Sequence, residues 1–247
     1  MTEKIQKLLS RSGYGSRRYI EKLIQYGDIL VNGKKAIIGQ RLYKNYPGEI
    51  LIQGQLAVIK NQTSKSSVLL YNKSEGEICT RCDSQNRKTI FDNLPKLIHN
   101  RWISVGRLDL NTRGLLLFTN DGLLAYRLMH PKYAIEREYY IRVFGNINQN
   151  KINILKNGVK IKNKYLVFKK IEMLNTNKIK KNTWFKGVLC EGHNREIRSL
   201  FEFLQCQVSR LIRIRYGNII LPKNLKLNRF ISLNSKVISD LYNLVGI

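Results

Sequence analysis

The sequence predicts an α+β protein with a small basic N-terminal module of two helices and a hairpin, followed by a larger, mixed and mainly antiparallel α/β domain. Three observations predict it. Helix-period and hairpin signals crowd into residues 1–61. Residues 62–67, Gln-Thr-Ser-Lys-Ser-Ser, hold no large apolar side chain and read as a linker. From 68 to 247 the texture turns to long strand-rich segments, with no βαβ repeat and no G-x-G-x-x-G.

Residues 3 to 26 read as two helices. Ile5, Leu8 and Leu9 fall on one face of the first. Ser16 is a natural N-cap for the second, which carries Ile20, Leu23 and Ile24. Between them, glycines shape the turn Arg11-Ser12-Gly13-Tyr14-Gly15-Ser16-Arg17-Arg18, which presents three arginines and a tyrosine. Ile29-Leu30-Val31 then enters an Asn32-Gly33 hairpin turn before Lys34, and a strand Glu49–Ile52 follows the Pro47-Gly48 turn.

Beyond the linker, Val68–Tyr71 predicts a strand, and Thr89–Leu94 a short helix ended by Pro95. The stretch VGRLDLNTRGLLLFTNDG, Val105 to Gly122, sets Asp109 between Arg107 and Arg113 and runs into an apolar strand, Leu115–Phe118. Asp121 should cap a helix with Leu123, Leu124, Tyr126 and Leu128 that stops before Pro131. Ile135–Val143 alternates as a strand, with Arg137, Tyr139 and Ile141 on one face. Lys156–Met173 predicts lysine-rich strands, and Trp184–Cys190 another strand. The run Glu191-Gly192-His193-Asn194-Arg195-Glu196-Ile197-Arg198 then starts a helix whose apolar stripe is Ile197, Leu200, Phe201 and Leu204, with Arg195, Arg198 and Glu202 off the stripe. Finally Arg213 and Arg215 alternate with Ile212 and Ile214, which predicts a strand with an arginine face and a packing face.

Charge narrows the partner. A formal net charge of +27 and a pI near 10.1 point to a polyanion, and residues 1–61 alone hold 11 Lys/Arg against 4 Asp/Glu. Part of the excess is compositional, since segments such as KINILKNGVKIKNKY favour Lys, Asn and Ile together. No stretch approaches the length of a spanning helix, and MTEKIQKLL lacks the apolar core of a secretory leader. A cytoplasmic nucleic-acid-binding protein is expected, with no membrane partner. Nothing demands a second chain, so a monomer is expected.

Cys79, Cys82, Cys190 and Cys206 are too few and too scattered for a disulfide framework. Cys79 and Cys82 form a C-x-x-C, but no second pair or His pair completes a zinc set, so no metal site is expected. There is no G-x-S-x-G, H-E-x-x-H or P-loop, and His99, His130 and His193 have no Ser or Cys at motif spacing. What remains is a single Asp among arginines and tyrosines. Neighbouring arginine would keep Asp109 ionised, which suits a nucleophile; the same arrangement is also a common structural ion pair.

Two resemblances bear on that choice. Residues 1–61, with the helix, GYGSRR turn, second helix and V-N-G-K hairpin, resemble the S4 RNA-binding domain of the αL type. That implies Arg11, Ser12, Ser16, Arg17, Arg18 and Lys34 lie near structured RNA. Gly106-Arg107-Leu108-Asp109-Leu110-Asn111-Thr112-Arg113-Gly114-Leu115-Leu116-Leu117 resembles the G-R-L-D-x-x-T-x-G-L-L-L motif of the small-subunit-type branch of pseudouridine synthases. Arg137-Glu138-Tyr139 and Glu191–Arg198 resemble that family's basic-x-Tyr and E-G-[RK]-N-R-[QE]-[VI]-R motifs, in the family's order. His193 stands where Arg or Lys is usual, and Ser199 where a second Arg is common. Gln207–Gly217 and Cys79-Thr80-Arg81 are most similar to members that modify large-subunit ribosomal RNA.

The resemblance implies a pseudouridine synthase catalytic domain over 68–247 and, as substrate, large-subunit (23S) rRNA or its assembly intermediate. It implies no nucleotide or other cofactor, since isomerisation consumes nothing. By the family pattern Asp109 is the nucleophile, at ribose C1′ or uracil C6. Tyr139 stacks on the uracil and takes part in removing the C5 proton. Arg198 pairs with Asp109, Ile197 packs beneath the base, and Arg107 fills the space of the flipped nucleotide. Arg113, Arg195, Arg213 and Arg215 face RNA. The competing readings are a non-catalytic S4-type ribosome-assembly protein, or a synthase of the same chemistry acting on another RNA such as tRNA.

Overall fold

The computed structural model describes residues 2–59, 66–81, 83–97, 100–174 and 182–247. Its contacts divide the chain into two units, 1–66 with 95–102, and 67–94 with 103–247. Cys82, His99 and most of the 62–67 stretch lie outside the described residues. No helix among the described residues is long and apolar enough to cross a membrane.

In the first unit, β1 (Thr2–Lys4) leads into α1 (Ile5–Arg11) and α2 (Arg17–Tyr26). Ser16 caps α2 as expected, its hydroxyl accepting the Tyr19 N–H at 3.1 Å, and Gly27 ends the helix at φ +78°. β2 (Ile29–Val31) and β3 (Lys34–Lys35) join through Asn32 at φ +48° and Gly33 at φ +76°, the two left-handed residues of a tight hairpin turn. β4 (Arg41–Tyr43) pairs with β1, while β5 (Ile50–Ile52) and β6 (Gln55–Leu56) complete a sheet of order β3-β2-β5-β6. Ile5, Leu8 and Leu9 of α1 bury against Ile20, Leu23 and Ile24 of α2 and against Ile29 and Ile50 of the sheet. Each such side chain contributes roughly 1.5–3 kcal/mol by leaving water, so the stripes rather than helix propensity hold these short helices.

The second unit is built on a nine-stranded sheet. Its strands are β7 (Val68–Lys73), β8 (Ile103–Val105), β9 (Arg113–Thr119), β10 (Arg137–Phe144), β13 (Lys170–Met173), β14 (Asn182–Leu189), β15 (Gln207–Tyr216), β16 (Ile219–Ile220) and β17 (Phe230–Ser232). The order is β13-β14-β10-β15-β9-β7-β17, with β16 on β15 and β8 on β9. Every pairing described in this sheet is antiparallel except β15 with β9. A side hairpin, β11 (Val159–Ile161) with β12 (Lys164–Leu166), stands apart from it. α3 (Gly122–Met129) and α6 (Ser235–Leu244) supply Leu124, Leu128 and Leu241 to a core on Leu115 and Leu117 of β9. α4 (Gln149–Asn157) and α5 (Glu196–Phe203) supply Leu155, Ile197, Leu200 and Phe201 to a second core on Ile141 and Phe185.

Several expectations hold. Asp121 caps α3, accepting from Leu123 and Leu124 N–H, and Arg137, Tyr139 and Ile141 share the buried face of β10. Others change. Thr89–Leu94 is a turn, in which the Asp92 carboxylate takes the Thr89 N–H and hydroxyl at 2.8 and 2.6 Å instead of leaving the backbone to helical bonding. The lysine-rich segment is strands from Val159 on, but Lys156 and Asn157 finish α4, a helix capped by Asn148. On β15 the expected faces are inverted. Arg213 is buried, while Ile212 and Ile214 are half-buried, because Arg213 faces a cleft rather than bulk solvent.

Candidate active site

The cleft opens where the two halves of the sheet join. β15 and β9 meet there through only two register pairs, Ile212 with Arg113 and Arg213 with Gly114. Gly114 is required at this point: a Cβ would lie 2.3 Å from the Arg213 carbonyl oxygen, and its φ is +104°. The resulting cavity has a volume of ≈ 690 Å³, within the range that takes a nucleotide-sized ligand.

Its floor is the loop from Gly106 to Thr112, between β8 and β9, and the loop is held at five successive carbonyls. Cys79 brackets Leu108: its thiol donates to Leu108 O at 3.2 Å, and its sulfur accepts Leu108 N–H at 3.3 Å. Asp109 O accepts Thr112 N–H at 3.0 Å and Lys73 Nζ at 3.2 Å. Leu110 O accepts Gly76 N–H at 3.0 Å, Asn111 O accepts Arg198 Nη2 at 2.8 Å, and Thr112 O accepts Lys73 Nζ at 2.9 Å. Such redundancy holds the backbone under Asp109 in place, which is what a reacting group needs.

Lys73 is the least expected of these anchors. It is fully buried at the end of β7, and its ammonium also donates to Ser74 O at 2.8 Å. Burial pulls it below the usual lysine range, while Cys79, Glu77 and Asp109 push the other way. Glu77 in turn accepts from the Tyr71 hydroxyl at 2.6 Å and from Ser74 N–H at 3.0 Å. Burial and this carboxylate push the Tyr71 phenol up to about 12, so it stays a donor. Burial likewise pushes the Cys79 thiol up, keeping its proton for Leu108 O.

Asp109 itself is half-buried in the cleft. Among the described residues no side chain makes a hydrogen bond or an ion pair within 4 Å to its carboxylate, which corrects two expectations. Arg107 and Arg113 do not grip it: Arg107 is exposed at the cleft wall, and Arg113 opens β9 away from the cleft lining. Arg198 does not form the predicted ion pair. Its Nη1 and Nη2 donate at 2.8 Å to Val208 O and Asn111 O. Burial lowers its pKa and the nearby Asp109 charge raises it, so the attraction acts through space.

The rest of the predicted set divides sharply. Tyr139 and Ile197, 8% and 4% exposed, line the cleft together with Asp109, Arg107 and Arg198. Arg195 borders it in a left-handed conformation at the start of α5, paired with Glu202 at 2.9 Å. Arg213 borders it too, buried rather than presented as a surface contact, with Nε on Leu115 O at 2.7 Å. Arg215 lies outside the cleft lining, engaged by Glu136 and Glu138 at 2.9 and 3.2 Å.

In the first unit, three predicted RNA contacts are held internally. Arg11 bonds buried Glu3 at 2.7 Å and Lys44 O at 2.6 Å, the buried Ser12 hydroxyl bonds Leu8 O, and Ser16 caps α2. Arg17, Arg18 and Lys34 are exposed, with no ion pair among the described residues.

Sequence reasoning gave no site role to Lys73, Cys79, Arg137, Glu196 or Tyr216. Arg137 is buried, donating to Cys190 O at 2.7 Å and to the Tyr216 hydroxyl at 3.2 Å. Its alternation with Tyr139 was the available signal. Glu196 is 5% exposed, accepts His193 N–H at 3.0 Å, and is pushed up by burial.

With this geometry in place, the comparisons are specific. Residues 67–203 match the model of a family described as RNA pseudouridylate synthase, and residues 3–42 match the S4 domain. The chain is 61% identical over 246 residues to ribosomal large subunit pseudouridine synthase B of Buchnera aphidicola subsp. Schizaphis graminum, covering 100% of this chain and 96% of that protein. It is 48% identical to the protein of that name from Yersinia pestis, over 99% of this chain and 77% of that one. A crystal structure of a pseudouridylate synthase, 20% identical, superposes with a TM-score of 0.66 over 97% of this chain and 99% of that one, which shows the shared fold.

Proposed function

Since the chain belongs to the RNA pseudouridylate synthase family, we propose that it converts a uridine of large-subunit ribosomal RNA to pseudouridine, with Asp109 as the reacting group. The observation that carries this reading is the contrast at Asp109. The loop that carries it is held at five successive carbonyls, while among the described residues no side chain bonds its carboxylate, in a nucleotide-sized cleft beside Tyr139 and Ile197. A structural ion pair would have the opposite arrangement.

The reaction breaks the C1′–N1 bond of uridine and joins C1′ to C5. The C5 proton is lost and N1 gains one, so atoms and electrons balance without oxidant, nucleotide or metal. The target base must leave the RNA stack to enter a cleft of this depth, at a cost of a few kcal/mol. Arg107 fills the space the base vacates, a role its exposure at the cleft wall supports. Inside, Tyr139 and Ile197 offer a ring face and an aliphatic surface to hold the flat uracil. Asp109 attacks at ribose C1′ or uracil C6, with the half-buried Arg198 guanidinium close enough to feel its charge. Residues 1–61 form the RNA-binding module, raising the concentration of the 68–247 catalytic domain at its substrate. Within the module the exposed Arg17, Arg18 and Lys34 carry the phosphate contacts.

The test is pseudouridine mapping on two transcripts incubated with the purified chain, one of large-subunit rRNA and one of tRNA. One uridine converted in the rRNA is expected. Preferential conversion of the tRNA transcript would move the substrate assignment, and conversion of neither would remove it.

A further inference from the structure

Among the described residues, three polar side-chain atoms around the cleft are buried with nothing to bond: Thr112 Oγ1, Arg198 Nε and Arg213 Nη2. Of the three, Arg213 is the most constrained. It is 3% exposed, its Nε is fixed to Leu115 O at 2.7 Å, and its guanidinium lies 5.1 Å from the Tyr216 ring centroid. The β10–β15 register sets it directly opposite Tyr139. A guanidinium anchored along one edge and stacked on a ring cannot swing out to find water, so the unpaired donor is a standing feature of the cleft.

We propose that Arg213 donates from Nη2 to a carbonyl oxygen of the flipped uracil and stabilises the negative charge that the ring carries during the reaction. The proposal rests on the reading above that the cleft takes a uridine. Depth selects the base over the backbone: a phosphate tethered to two sugars cannot reach a donor this buried, whereas the flat ring is the part that goes deepest. The carbonyl oxygens O2 and O4 are uracil's strong acceptors. Charge arrives on them by either route. Attack of Asp109 at C6 pushes a pair of electrons through the ring onto O4. Cleavage of C1′–N1 leaves the pair on N1, shared with O2 and O4. In both cases the pair returns to carbon as the C5–C1′ bond forms, and Arg213 keeps its proton throughout. A fixed cationic donor aimed at developing charge is the arrangement expected to accelerate such a step.

The experiment is single-turnover conversion by wild type and Arg213→Gln on RNA carrying uridine, 2-thiouridine or 4-thiouridine at the target. Sulfur accepts hydrogen bonds poorly, so each thio RNA removes one acceptor. Arg213→Gln should slow the uridine RNA by about 10²–10³-fold with RNA affinity unchanged. Wild type should slow by about tenfold on one of the two thio RNAs, and that penalty should be absent in Arg213→Gln, because residue and oxygen act as one pair. Thio penalties of equal size in both proteins overturn the proposal, as does a loss in Arg213→Gln that is wholly a loss of RNA affinity. If Arg213→Gln does not fold, the wild-type rates decide, since unslowed conversion of both thio RNAs is enough to overturn it. Absence of any conversion by wild type on the uridine RNA removes the underlying reading as well, which separates the two failures.

Discussion

In the N-terminal unit Arg17, Arg18 and Lys34 stand exposed on a helix start and a hairpin, while in the larger unit Arg137, Arg198 and Arg213 are buried or half-buried and each is tied to at least one backbone carbonyl. The same charge thus works under two regimes. Exposed cations act through a screened field that any phosphate can answer, so their contribution follows salt and carries little geometry. Buried guanidiniums act through distance and direction, because each is locked in place and the local dielectric is low. Net charge brings RNA to the protein, and geometry decides which atom reacts.

Mutations should separate the regimes. Arg198→Ala frees the Asn111 and Val208 carbonyls and withdraws a positive charge that acts on Asp109. A loss of about 10²–10³ in single-turnover rate is expected, with about 1–3 kcal/mol of stability. Weakened RNA affinity with normal turnover would place Arg198 with the exposed cations and break the comparison. Arg17→Ala with Arg18→Ala should do the reverse. RNA affinity falls, and turnover at saturating RNA holds within about twofold. The slope of log affinity against log salt becomes shallower by about 0.7–0.9 for each phosphate that is no longer neutralised.

The smallest effect concerns pH. Burial raises Glu196 above the ordinary carboxylate value of 4.5. A folded pKa above the unfolded one means the stability it contributes is complete below the unfolded value and is lost as pH rises through the folded one. Melting temperature should therefore fall relative to Glu196→Gln as pH climbs from 4.5. Parallel melting curves for the two proteins across that window would show that burial does not raise the Glu196 carboxyl.

How much of this was legible depended on whether a residue's role is local. Caps, hairpins and stripes are written within a few positions, so Ser16, Asp121 and the Ile197–Leu200–Phe201 stripe could be read directly. Asp109 was legible because its motif is long and contiguous. Its supports were not. Lys73 lies 36 residues before Asp109 and reads as an ordinary strand-end lysine, and only the pairing of β7 with β9 brings it under the loop. Arg198 was found, but its partner was misassigned: charge complementarity suggested the Asp109 carboxylate, while the structure bonds the guanidinium to the loop's backbone. Alternation correctly put Arg213 on one face of a strand but could not say that this face lines a cleft.

The most direct test of the role of Asp109 is conversion of the target uridine in a large-subunit rRNA transcript by wild type and by Asp109→Asn, with RNA affinity measured alongside. A loss of at least about 10³-fold in conversion is predicted for Asp109→Asn with an unchanged affinity, because the carboxylate reacts and does not attract phosphate. Conversion by Asp109→Asn at the wild-type rate would contradict that role.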